Sequence, residues 1–193
     1  MLGGTFDPIH EAHLAIAREA ARRFHLDEVL FIPASNPPHK RERNGAGYED
    51  RYRMVELACQ GHEGFAPSRI EEGQQRSYSI TTIERLKRER PGDRFFFLIG
   101  ADAFADIETW HRWRDVIAAV DFIVVTRPGH AYDVPAGAVV HGLDTVSMEV
   151  SSSAIREAIA AGKIPVGLPP AVYRYAVEHR LYSGRPVSRA NPA

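Results

Sequence analysis

The sequence predicts an α/β fold: a doubly wound parallel sheet with helices on both faces and a helical segment at the C-terminus. Three observations carry this. Short apolar runs alternate with segments of helical periodicity. The runs are apolar throughout rather than at every second residue, as in strands buried on both faces. A glycine turn then leads directly into the first helical segment.

The runs are Val29–Pro33, Phe95–Gly100 and Phe122–Thr126, with weaker candidates at Phe65–Ile70 and Ala138–Val150. Between them, Leu14–Phe24 sets Leu14, Ala17, Ala21 and Phe24 at helical offsets. Arg51–Cys59 does the same with Met54, Val55 and Ala58, and Thr82–Arg90 is a third such segment. Ser151–Gly162 and Pro169–Leu181 read as two helices following the sheet. Pro169 and Pro170 suit a first helical turn, where a missing N–H costs little. The expected layout is one domain over residues 1–193, with the sheet within about 1–150, the last helices within about 151–182 and a frayed tail after 184. The chain opens at Met1-Leu2-Gly3-Gly4, on a turn that normally leaves a central first strand. That strand is expected to be missing or reduced to a stub.

Composition narrows the function. The 193 residues are 44% hydrophobic and 25% charged, which excludes a disordered or fibrous chain. A net charge of −1 gives no bulk attraction to nucleic acid or to an anionic membrane. Cys59 is the one cysteine, so there is no internal disulfide, and no Cys/His spacing suits zinc. Apolar stretches such as Ile117–Val125 are short and interrupted by Asp121, too short to span a bilayer. No positive segment followed by an apolar one opens the chain, and the expected location is cytoplasmic.

The stretch Gly3-Gly4-Thr5-Phe6-Asp7-Pro8-Ile9-His10-Glu11-Ala12-His13 carries the most chemistry. Two glycines let backbone N–H groups approach an anion, and a helix starting near Glu11 aims its positive end back at them. His10 and His13 project from one side of the first turn, where imidazoles can hydrogen-bond phosphate oxygens. A zinc-protease reading fails, because that pattern needs histidines at i and i+4 and these stand at i and i+3. Asn36-Pro37-Pro38-His39-Lys40 follows a strand end, where ligands sit, and Lys40 suits a point charge for phosphate; by itself it reads equally as a solvated basic loop. Ser151-Ser152-Ser153-Ala154-Ile155-Arg156 offers capping serines with free amides and an arginine one turn on. An ordinary serine cap beside a surface arginine is the commoner meaning of such a stretch. Gly100-Ala101-Asp102 places an acid at a strand end, suited to sugar hydroxyls. Trp110 can stack on a flat ring, and Trp113 suits core packing.

Together these elements resemble the nucleotidyltransferases of the (H/T)xGH and SxxxxR type, and most closely the bacterial nicotinate-nucleotide adenylyltransferases. GGTFDPIHxxH, NPPHK, SYSITT at Ser77–Thr82, IGADAF at Ile99–Phe104, WHRW and SSSAIR occur in that family's order. The resemblance implies a Rossmann-like domain that moves AMP from ATP to nicotinate mononucleotide, yielding deamido-NAD and pyrophosphate in NAD biosynthesis. It implies that Gly3, Gly4, Thr5 and Phe6 surround ATP, and that His10 and His13 hold its phosphates with help from Lys40, Ser151, Ser152, Ser153 and Arg156. It implies that Gly100 and Asp102 contact the ribose, and that Lys40 also meets the nicotinate nucleotide. Thr82 and the His111 backbone would take the nicotinate carboxylate, with Trp110 stacked on the pyridine ring. Mg²⁺ would arrive mainly with ATP, and no protein metal site is expected. Nicotinamide-mononucleotide and pantetheine-phosphate adenylyltransferases are the alternatives, with a catalytically weakened nucleotide-binding relative as a third. Homo-oligomerisation is left open. The chain departs from the family pattern at Ala12, where glycine is usual, and at Thr81, where an acidic residue is usual.

Overall fold

The computed structural model describes residues 1–36, 45–126, 132–144 and 150–183. Six parallel strands form one sheet in the order β3-β2-β1-β4-β5-β6. They are β1 (Leu2–Gly4), β2 (Val29–Pro33), β3 (Phe65–Pro67), β4 (Phe96–Gly100), β5 (Asp121–Thr126) and β6 (Val140–Asp144). This is the doubly wound, Rossmann-like arrangement. The first strand exists as a three-residue stub at the centre of the sheet, with Leu2 aligned to Phe31 of β2 and to Leu98 of β4.

The helices are α1 (Glu11–Phe24), α2 (Tyr48–Cys59), α3 (Ser79–Glu89), α4 (Ala101–Ala105), α5 (Trp113–Ala119), α6 (Ser152–Ala160) and α7 (Pro170–Glu178). Helix α1 begins three residues before its apolar period does, because His10 caps it. Helices α4 and α5 escape periodicity altogether, since five and seven residues hold too few turns to show one. The weak strand expected at Phe65–Ile70 stops at Pro67, and the one around Ala138–Val150 starts at Val140 and runs to Asp144, with 145–149 outside the described residues.

Successive residues of a strand face opposite sides of the sheet, and each side has its own core. Val29 and Phe31 of β2 and Ile123 of β5 pack with Leu14 of α1 and Met54 of α2, as well as with residues of α6 and α7. Leu30 and Ile32 of β2, with Phe122 and Val124 of β5, pack against α3, α4 and α5. Full burial of each such side chain contributes about 1.5–3 kcal/mol, so the two apolar faces dominate the fold's stability. No helix among the described residues is long and apolar enough to cross a membrane.

Candidate active site

With β1 beside β4, consecutive connections leave the sheet in opposite directions there, opening a crevice at the strands' carboxyl ends. A cavity of about 890 Å³ occupies it, and its walls bring together Gly3, His10, His13, Gly100, Asp102 and Trp110.

The first wall is built by the turn after β1. Phe6 adopts a left-handed backbone (φ 50°), is 2% exposed, and sets its ring edge-on to His13 with centroids 5.1 Å apart. A Cβ on Gly4 would lie 3.0 Å from that ring, so a larger residue there would force the ring to shift by a few tenths of an ångström. His10 then caps α1 from an extended conformation. Its backbone N–H donates to His13 Nδ1 at 3.2 Å, and the His13 N–H donates to the His10 carbonyl at 2.9 Å. A backbone N–H can only donate, so Nδ1 of His13 is an acceptor and the neutral ring carries its proton on Nε2. The two rings stack with centroids 3.8 Å apart. Burial pulls His10 down to about 4, and burial together with the neighbouring His10 pulls His13 down to about 3. Both imidazoles are therefore neutral near pH 7. The positive character of this wall comes from the α1 terminus rather than from ionised histidine. Ala12 also lines the cavity.

The opposite wall is the β4–α4 junction. Gly100 caps α4 and is exposed, and Asp102 lies in the first turn, where the helix dipole favours a carboxylate. Trp110 is half-buried with its ring 5.9 Å from Phe97, so it serves both core and cavity. His111 is exposed and its ring lies 4.4 Å from Tyr78.

Several expected residues are not among those that line this cavity. Thr82 is fully buried and donates to Glu71 Oε1 at 2.6 Å, so its hydroxyl is occupied. Ser151 caps α6 by accepting from the Ala154 N–H at 3.2 Å, and Ser153 lies 3.1 Å from it. Ser152 donates to the Pro8 carbonyl at 3.0 Å and Arg156 to the Asp7 carbonyl at 2.8 Å. The serine–arginine stretch thus holds the glycine–histidine loop directly. Thr5 offers its carbonyl to Arg51 at 2.7 Å. Lys40, and with it the Pro37–Lys40 part of the second motif, lies outside the described residues, as does the tail after 184.

Arg51 was not legible as a site residue, although a signal existed. It sits in the apolar stripe of α2 with Met54, Val55 and Ala58, where a charged residue needs a buried partner. Asp7 lies inside the Gly3–His13 motif, which gave it no role of its own, and Tyr182 carried no signal. Among the described residues no three His, Cys, Asp or Glu side chains are grouped to hold a metal ion.

A model of the cytidylyltransferase-like family matches residues 1–158. The chain belongs to this family. It is 58% identical over 184 residues to a protein of Solibacter usitatus described as a probable nicotinate-nucleotide adenylyltransferase, covering 95% of this chain and 98% of that one. A Geobacter sulfurreducens protein of the same description is 40% identical over 209 residues, covering 95% and 97%. Within the larger family, this nucleotidyltransferase therefore belongs with the nicotinate-nucleotide adenylyltransferases. Its fold matches that of a Plasmodium falciparum nicotinic acid mononucleotide adenylyltransferase complexed with NaAD, with a TM-score of 0.76 at 17% identity over 94% of this chain and 95% of that one.

Proposed function

We propose that this protein transfers AMP from ATP to the phosphate of nicotinate mononucleotide in the cytoplasm, giving deamido-NAD and pyrophosphate. The observation that carries the reading is the stacked, neutral His10–His13 pair at the start of α1, facing Gly100 and Asp102 across the crevice. A phosphate oxygen of the mononucleotide forms a bond to the α-phosphorus of ATP. The bond from that phosphorus to its bridging oxygen breaks, and the electron pair leaves with pyrophosphate. The attacking phosphate is already anionic, so no serine or cysteine needs activation. Catalysis consists of aligning the phosphates and meeting charge as it builds.

In this reading Nε2–H of His13 and the His10 ring donate to phosphate oxygens, and the positive end of α1 supports them. Gly3, Gly4, Thr5 and Phe6 shape the loop around ATP, while Asp102 and Gly100 take the ribose. Lys40 and Arg156 add positive charge, and Ser151, Ser152 and Ser153 keep the start of α6 against that loop. Trp110 takes the pyridine ring, and the His111 backbone takes the carboxylate. Thr82 shapes that end of the site from behind. Nicotinate is favoured over nicotinamide because N–H donors match a carboxylate, whereas an amide turns an NH₂ toward them. Mg²⁺ would enter with the ATP substrate, held mainly by its phosphates.

The test is pyrophosphate release with MgATP, comparing nicotinate mononucleotide, nicotinamide mononucleotide and phosphopantetheine side by side. Release with the nicotinate compound alone is expected. Release with phosphopantetheine would refute the assignment. ATP binding without release from any acceptor would point to a non-catalytic nucleotide-binding protein.

A further inference from the structure

The loop from Thr5 to His10 has little regular backbone pairing of its own, and parts of the chain remote in sequence hold it. Arg51, 5% exposed, donates to the Thr5 carbonyl at 2.7 Å and to the Ala34 carbonyl at 2.8 Å. Arg156 and Ser152 hold the Asp7 and Pro8 carbonyls, and the Gly167 carbonyl accepts the Glu11 N–H at 2.8 Å. At the centre is the Asp7 side chain, 7% exposed. Its Oδ1 accepts both the Ala46 N–H at 3.0 Å and the Tyr182 hydroxyl at 2.6 Å.

Tyr182 comes from the end of the described chain, beyond α7. Arg180 and Tyr182 itself both adopt left-handed backbones (φ 53° and 62°), which turn the chain back so that the ring is buried. Non-glycine residues adopt this conformation at a conformational cost, so surrounding contacts must hold it. Burial, reinforced by Asp7, raises the phenol far above its ordinary value, so it is a donor at every working pH. One carboxylate oxygen thus joins the phosphate loop, the chain returning toward α2 and the C-terminal turn.

We propose that Asp7 and Tyr182 are positioning residues for adenylyl transfer, setting where His10 and His13 stand across the crevice from Gly100. This rests on the adenylyltransferase reading. Neither residue lines the cavity. Their effect passes through the loop backbone, and an in-line reaction is sensitive to displacements of about an ångström.

The test is Tyr182→Phe, which keeps the ring and removes the hydroxyl that donates to Asp7 at 2.6 Å and has Met54 Sδ 4.0 Å away. Expected are a fall in kcat of about ten- to a hundredfold, a KM for ATP within about threefold of wild type, and faster amide hydrogen exchange in residues 5–13 and 45–47 with β4 and β5 unchanged. Asp7→Asn keeps an Oδ1 acceptor and is expected to lose less than Asp7→Ala. A kcat and loop exchange equal to wild type would overturn the proposal. So would a kcat loss that tracks the folded fraction while exchange rises evenly over the sheet. If the wild type releases no pyrophosphate from any acceptor, the functional reading fails by itself. The exchange comparison of wild type with Tyr182→Phe then still decides whether this bond holds the loop.

Discussion

Gly167→Ala offers a direct check on how the loop before α7 supports the site. Gly167 has φ +76°, and a Cβ built on it would stand 2.6 Å from Val150 Cγ2 and 3.0 Å from Cγ1. Its carbonyl accepts the Glu11 N–H at the start of α1, and Val150 lines the cavity. Gly162 supplies the control, with φ +69° and nothing within 4 Å of its virtual Cβ. A left-handed alanine costs about 1–2 kcal/mol at either position. Reduced entropy of the unfolded chain offsets about 0.4–1 kcal/mol in both. Only Gly167→Ala adds overpacking, at about 1–3 kcal/mol. The expected losses are therefore about 1 kcal/mol for Gly162→Ala and roughly 2–4 kcal/mol for Gly167→Ala. Urea denaturation of both variants, compared at equal m-values, measures the difference. Losses agreeing within about 0.5 kcal/mol would mean that Val150 gives way freely, and the packing argument would fail.

His13→Ala should lower kcat by about 10²–10³ while changing calorimetric ATP affinity less than about tenfold; equal losses in both would indicate a binding role. His10 and His13 also predict a pH dependence. Their folded values, about 4 and about 3, lie below the unfolded value near 6.5, so between these limits the unfolded chain binds more protons. Stability should fall as pH drops from 6.5 through that window. A thermal midpoint for nucleotide-free protein that falls between pH 7 and pH 5, with a flatter slope in the His10→Asn, His13→Asn double variant, checks this; an identical slope in that variant would count against these rings as the source. Arg51→Met leaves the Thr5 and Ala34 carbonyls without their donor and should cost about 2–5 kcal/mol. A loss under about 0.5 kcal/mol in denaturant titration would show that other donors replace the guanidinium readily.

Much of the architecture was legible because it depends on local pattern. The continuous apolar run Val29–Pro33 is β2 residue for residue, and Pro169 and Pro170 are the N-cap and the first residue of α7. The glycine turn with its two histidines was legible as a wall of the crevice, since Gly3, His10 and His13 line the cavity at the strands' carboxyl ends. Helices α4 and α5 were missed because tertiary contacts, not periodicity, hold segments so short. Thr82 looked like a contact residue by motif, whereas in the fold its hydroxyl is bound to Glu71.

By itself the sequence determined the alternation of strands and helices, the burial of the sheet on both faces, and the residue types that gather at its carboxyl edge. These follow from periodicity, glycine conformational freedom and capping chemistry, all properties of a few consecutive residues. Tertiary structure alone decided that burial keeps His10 and His13 neutral and that Arg51 supports the Thr5 carbonyl. It also decided that Tyr182 reaches Asp7 across 175 positions of chain. Burial and long-range hydrogen bonds arise only when distant segments are packed together, and no short stretch of sequence encodes that packing.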